Sequence, residues 1–226
     1  MIAGIDEAGR GAVIGPMIIA GVSIPREKEN ELVKMGVKDS KLLTPKAREK
    51  LARKIEKTAK DIIVIEVAPC KIDNYRKQGI SLNKMEAMKF AEALNFLRPS
   101  TAYIDGPDIN LRKFQGFVSK MLAEPAELVV EHFADSKYPV VSAASIIAKV
   151  ERDQRIEKLA SRYGEIGSGY SSDPVTQVWL SQWLEGANKF PECVRRTWIT
   201  AEVMERDKLQ TRLLGFLGIK KDGAAL

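Results

Sequence analysis

With one histidine and two cysteines in 226 residues, the chain has few of the side chains that bind zinc or serve as activated nucleophiles. Cys70 and Cys193 are isolated, which indicates neither a disulfide framework nor a zinc site. A histidine-rich metal centre is excluded, and a Ser-His-Asp or Cys-His mechanism would have to rest on His132 alone. No P-loop and no H-E-x-x-H occurs. There is no signal peptide and no apolar run long enough to span a bilayer, so the expectation is a soluble, cytoplasmic protein without a membrane partner. Internal repeats and low-complexity stretches are missing too.

What is present is enough for a core: 45% of residues are hydrophobic, in a length that suits one large domain or a domain with a small appendage. The net charge of +6 is compatible with a polyanionic partner. Lys and Glu richness with few Asn or Gln also fits a heat-adapted protein. Among groups that can do chemistry, carboxylates are the plentiful ones.

The first sixteen residues concentrate the argument. Ile2 to Ile5 reads as a buried strand, and Asp6-Glu7 stands where that strand gives out. Gly9-Arg10-Gly11 follows as a tight basic turn. Carboxylates are seldom buried unless they are paired or bind a cation, so two at the end of a core strand ask for one. Gly9, Gly11 and Gly15 invite comparison with a dinucleotide-binding turn, but that fingerprint must open a helix. Here Gly15-Pro16 interrupts, and Met17 to Ile24 reads as a second strand of a hairpin.

Further along, Arg26 to Met35 is a short charged helix or loop. Thr44-Pro45 opens a helix to about Ala59, with Ala47, Leu51 and Ile55 on one face and Lys46, Arg48, Lys50, Arg53, Lys54 and Lys57 on the others. That basic face is either solvated or a phosphate-backbone contact. Ile62 to Val67 is a strand, and Ser81 caps a helix whose Ala87, Phe90, Ala91, Leu94 and Leu97 form an apolar stripe. Thr101 to Asp105 repeats the opening theme of a strand ending in an acid. A helix is predicted over about Asn110 to Leu122, and Glu127 to Asp135 is predicted as another strand finishing in an acid, with His132 packed in it. Asp108 reads as a helix cap rather than a further ligand. Pro139 opens a buried, small-residue helix to about Tyr163, a glycine-rich loop follows, and helices are predicted at about Pro174 to Glu185 and after Phe190-Pro191.

If the three acid-ended strands are parallel neighbours, Asp6, Glu7, Asp105 and Asp135 meet at one spot, since ligands collect at the carboxyl ends of parallel strands. Such a cluster is tolerable only around a hard cation with oxygen ligands, Mg²⁺ or Mn²⁺. Carboxylate-held divalent metal in a basic protein points to phosphodiester hydrolysis.

The chain resembles type 2 ribonuclease H (ribonuclease HII) in its single-chain archaeal form. The resemblance is carried by Gly4-Ile5-Asp6-Glu7-Ala8-Gly9-Arg10-Gly11, Asp39-Ser40-Lys41, Tyr103-Ile104-Asp105, and Ala134-Asp135 with Tyr138 to Ile146. Gly167-Ser168-Gly169-Tyr170 and Ser172-Asp173-Pro174 match as well. It implies an α/β fold, a ribonuclease H-like mixed sheet flanked by helices with a C-terminal helical extension, working as a monomer. It implies a two-ion site at Asp6, Glu7, Asp105 and Asp135, and cleavage of RNA–DNA hybrids and of duplex DNA 5′ of single ribonucleotides, leaving 5′-phosphate and 3′-hydroxyl ends. Gly9, Arg10, Gly11 and Tyr170 would read the ribose 2′-hydroxyl, and Lys41, Asn83 and Arg152 match positions near the substrate phosphates or active site. Leu42 and Phe133 depart from the family pattern, each standing where a lysine is common. The implied division is a catalytic core over 1–164, a substrate-contacting helical region over 165–209 and a tail over 210–226. In that tail Gln210, Leu213, Phe216 and Leu217 resemble a sliding-clamp-binding peptide, the alternative being a final helix packed back on the domain.

Overall fold

The computed structural model describes residues 1–37 and 44–216, with side chains as far as Leu213. Lys41, Leu42 and Leu217 therefore lie outside the described residues, as does the side chain of Phe216.

The opening segment forms the predicted hairpin. Strand β1 (Ile2–Ala8) pairs antiparallel with β2 (Met17–Ile24), which pairs antiparallel with β3 (Asp61–Val67). On its other side β1 runs parallel to β4 (Thr101–Asp105), and β4 runs parallel to β5 (Glu127–Glu131). Among the described residues the sheet order is β3-β2-β1-β4-β5, a mixed sheet flanked by helices as expected. The acid-bearing strands are thus parallel neighbours at its centre and one edge.

Successive strand residues face opposite sides, so each face of β1 meets a different layer. Ile2 and Ala8 pack with α7 (Pro139–Tyr163) and α2 (Pro45–Thr58), and α1 (Glu29–Lys34) joins them through Leu32. Ala3 and Ile5 pack with α3 (Pro69–Lys77), α4 (Leu82–Leu97) and α5 (Leu111–Ser119). The predicted caps hold: Thr44 accepts from the Ala47 N–H, and Ser81 from the Lys84 N–H, both at 3.3 Å. Gly4 lets α7 lie directly on β1, for a Cβ there would be 2.3 Å from the Val140 carbonyl carbon.

Two predicted elements are corrected. Strand β5 stops at Glu131, because Phe133 takes a left-handed φ of 56° and turns the chain into α6 (Ala134–Lys137). His132 is therefore exposed beyond the strand rather than packed in it. No helix follows Phe190-Pro191 directly; residues 191–198 run as turns, and α9 (Ile199–Phe216) begins after them. There the chain docks instead of coiling, with the Arg195 N–H on the Val13 carbonyl at 2.8 Å and Val194 bridging Ile14. A third apolar cluster joins Val13 and Ile14 to α8 (Pro174–Gly186) and Ala201 of α9.

Candidate active site

Three segments deliver three acids to one place. Asp6 lies near the carboxyl end of β1, Asp105 ends β4, and Asp135 sits in α6, just past β5. One carboxylate oxygen from each lies within 4.8 Å of the others. Asp6 and Asp135 are buried and Asp105 half-buried. The Asp135 segment is held by the Ser142 hydroxyl, which donates to the Asp135 carbonyl, and by the Ala134 N–H, which donates to Asp105 Oδ1 at 3.3 Å. Exposed His132 ties the two acid-bearing turns together through Nδ1 on the Gly106 carbonyl at 3.1 Å. Asp108 accepts the Asn110 N–H at 3.0 Å, while Asn110 itself caps α5, so Asp108 shapes the turn one step ahead of the cap.

Strand alternation sends Asp6 toward α7 and Glu7 toward α4. Glu7 is not within the three-acid group, and its Oε2 is buried without a hydrogen-bond partner. Burial pushes the Asp6 carboxyl from its ordinary 3.8 up to about 7, with Asp105 adding to the rise and the Ser145 hydroxyl, the Glu7 N–H and Lys149 opposing it. Burial first, and then Asp6, Glu86 and Asp105, hold Glu7 well above the usual carboxylate range. Crowded oxygen donors that resist ionisation, one with an idle lone-pair face, are the donor set a hard divalent cation satisfies.

The basic turn is built beside this cluster. Gly9 has φ of 81°, and a Cβ on it would lie 2.3 Å from Arg152 Nε, so both conformation and space demand glycine. Gly11 is exposed with open space around its Cα. Arg10 turns back onto α4, where Nε meets Glu86 at 2.9 Å and Nη2 donates to Asn83 Oδ1 at 2.6 Å. Arg152, buried on α7, lies over the Tyr170 ring at 4.6 Å from its centroid and donates from Nη2 to the Ser168 carbonyl at 2.8 Å. Tyr170 in turn bridges Ala12, beside the turn. The structure thus brings Gly9, Arg10, Gly11, Asn83, Arg152 and Tyr170 into one neighbourhood.

Sequence reasoning missed Glu86. It is fully buried, and burial raises its carboxyl to about 7 against the opposing pull of Arg10. Its signal was available: Glu86, Phe90 and Leu94 are spaced by four, which puts a charge on the core stripe of α4. Lys149, whose Nζ donates to Ser145 Oγ at 2.8 Å beside Asp6, was missed as well.

The ribonuclease HII family model matches residues 3–201. The chain belongs to the ribonuclease HII family. The chain is 48% identical to ribonuclease HII of Pyrococcus abyssi over 206 residues, covering 90% of this chain and 91% of that one. The crystal structure of ribonuclease H2 from Pyrococcus horikoshii superposes with a TM-score of 0.87 at 46% identity, over 92% of this chain and 99% of the other. Ribonuclease HII of Archaeoglobus fulgidus, solved in complex with PCNA, superposes with a TM-score of 0.83 at 42% identity, over 90% and 96% of the two chains. As a ribonuclease HII the chain is a divalent-metal-dependent endonuclease that hydrolyses the RNA strand of RNA–DNA hybrids.

The raised carboxyls make stability pH-dependent, and with it the loading of any cation they hold. A carboxyl whose pKa is raised in the fold contributes stability that is complete below its ordinary pKa and lost as pH rises through the raised value. The Asp6 contribution is therefore present below 3.8 and lost as pH rises through about 7. Chelator-treated protein is expected to melt at lower temperature at about pH 8 than at about pH 5, with Mn²⁺ raising Tm more at the higher pH because its ligands must be deprotonated. Equal Mn²⁺-induced shifts at both pH values in thermal melts would contradict this.

Proposed function

We propose that Asp6, Glu7, Asp105 and Asp135 hold two divalent cations, Mg²⁺ or Mn²⁺, and that the neighbouring turn reads the ribose next to the cleaved bond. On this reading the enzyme also cuts 5′ of a single ribonucleotide in duplex DNA, leaving 5′-phosphate and 3′-hydroxyl ends. The convergence of three acids from three chain segments within 4.8 Å is the observation that carries it. When bound, the ions supply an activated water and a clamp on the leaving oxygen.

The chain's own residues do the rest. Asp6, Asp105 and Asp135 fix the metal positions from rigid elements, and Glu7 offers its free Oε2 from the side of α4. The N–H groups of the Gly9-Arg10-Gly11 turn and the Tyr170 ring are suited to the 2′-hydroxyl, the atom that separates RNA from DNA. Arg10 and Asn83 hold each other at the rim, and Arg152 steadies Tyr170, while Lys41 would lie near the substrate phosphates or the active site. The core over 1–164 would carry the chemistry, 165–209 would close over the substrate, and 210–226 would serve a partner. The protein would act in replication and repair, as a cytoplasmic monomer.

The test is cleavage of a DNA duplex containing one ribonucleotide, with and without divalent metal. A single metal-dependent cut 5′ of the ribonucleotide is expected, and equal cutting of an all-DNA duplex would refute the reading.

The tail is proposed to bind a sliding clamp through Gln210, Leu213, Phe216 and Leu217. Support comes from α9, which Lys208 and Arg212 tie to the Ala187 carbonyl and Asn188, while Leu209 and Leu213 stay exposed. The PCNA complex of the Archaeoglobus relative agrees with it. Removing residues 210–226 is expected to abolish clamp binding in a pull-down with purified clamp. Hydrolysis of free substrate should not change, and Tm should fall by no more than about 3 °C. A larger fall in Tm with clamp binding retained would instead make the tail a packing element.

A further inference from the structure

We propose that Arg195 is a positioning residue that sets the ribose-reading turn, an inference that rests on the reading of that turn given above. Its guanidinium is fully buried, 185 residues from the turn in sequence, and grips three carbonyls of one loop. Nε donates to the Gly15 carbonyl at 3.0 Å, Nη1 to that of Arg10 at 2.8 Å and Nη2 to that of Gly9 at 2.6 Å. The planar fork of an arginine fixes the directions of these carbonyls as well as their distances.

That direction has a functional consequence. In a planar trans peptide the C=O and the following N–H point opposite ways. Turning the Gly9 and Arg10 carbonyls inward onto Arg195 therefore turns the Arg10 and Gly11 N–H groups outward. Among the described residues neither N–H has an acceptor within the fold, and Gly11 is exposed. The inner grip thus aims two free donors at the groove where a 2′-hydroxyl would lie.

Arg195 is itself held in place. Asp73 accepts the Arg196 N–H at 2.9 Å, the Thr197 N–H at 3.1 Å and the Thr197 hydroxyl at 2.6 Å. The Arg195 N–H reaches the Val13 carbonyl, and the Gly15 N–H reaches that of Cys193, both at 2.8 Å. The guanidinium also lies over the Trp198 ring at 4.9 Å. Asp73 and Trp198 lock a turn that would otherwise be free to drift, and Arg195 transmits that order to residues 9–15.

A double-mutant comparison on the full-length enzyme tests this, using duplex DNA with one embedded ribonucleotide and Mn²⁺ titration calorimetry to count intact acid sites. Arg195→Lys is expected to lower kcat/KM about tenfold and Arg195→Met about 100-fold per Mn²⁺-binding site, as misplacement near 1 Å would. Gly11→Ala should be tolerated by the fold, since nothing lies within 4 Å of its added Cβ, yet it should impair cleavage by filling the reading groove. In the Gly11→Ala background, the Arg195 substitutions should cost less than about twofold, because they act through the same turn. Additive losses, or wild-type rates in Arg195→Lys, overturn the inference while leaving the reading of the turn intact. If Gly11→Ala alone leaves cleavage unchanged, the reading of the turn fails and the inference falls with it. Should Arg195→Met not fold, Arg195→Lys carries the same comparison, because a single ammonium cannot serve three carbonyls in that plane.

Discussion

Asp105→Asn and Asp135→Asn are each expected to lower cleavage of an embedded ribonucleotide by at least about 10³-fold, close to 4 kcal/mol of transition-state stabilisation. The fold should survive both changes. Each removes an acid from a crowded group of three, so the metal-free variants should melt no lower than the parent. Mn²⁺ should then raise their Tm less than it raises that of the parent, since a ligand has been lost. Parent-level turnover in either variant would remove the acids from the mechanism. Loss of activity accompanied by loss of the folded state would leave the acids a structural role instead.

Gly4→Ala is expected to damage the enzyme as much as many active-site changes, though Gly4 is buried under α7. Its Cβ would fall 2.3 Å from both the carbon and the oxygen of the Val140 carbonyl, and 2.5 Å from the Val141 nitrogen. These are backbone atoms of α7, so no rotamer change relieves the overlap, and the helix must move off the sheet. A cost of about 3 kcal/mol or more follows, or a Tm lower by roughly 6–12 °C in a chain of this size. Activity should fall too, because the same helix carries Ser145 and Lys149 to Asp6 and Arg152 to Tyr170. Calorimetric melting of the variant beside the parent checks the first effect, and single-turnover cleavage well below the new Tm checks the second. By contrast, Gly116→Ala, where nothing lies within 4 Å of an added Cβ, should leave both unchanged or slightly improve stability within α5.

Much of the site could be read from residue order because strands that end in acids carry a local signature. An apolar run followed by Asp-Glu or Asp-Gly-Pro shows both the strand and its functional end, and the parallel arrangement then collects those ends. Asp135 was legible as an acid after an apolar strand, but its place in α6 was not. That depends on a single left-handed residue, Phe133, and non-glycine residues adopt such a conformation too rarely for composition to announce it. A helix is expected after Phe190-Pro191, yet Arg195 is drawn into the interior by carbonyls that lie nearly the whole chain away. Local propensity cannot anticipate a partner at that separation.

The residue order by itself determined the hairpin, the acid-ended strands, the helix caps and the glycine turn, since each of these is settled by interactions within a few residues. Only the tertiary structure decided that Glu86 stands close to Glu7. It alone decided that Gly4 must admit a helix and that Arg195 holds the turn from within. The physical reason is common to all three: buried charges and close backbone approaches are resolved by whatever the fold brings near. Nearness across a sheet bears no relation to nearness along the chain.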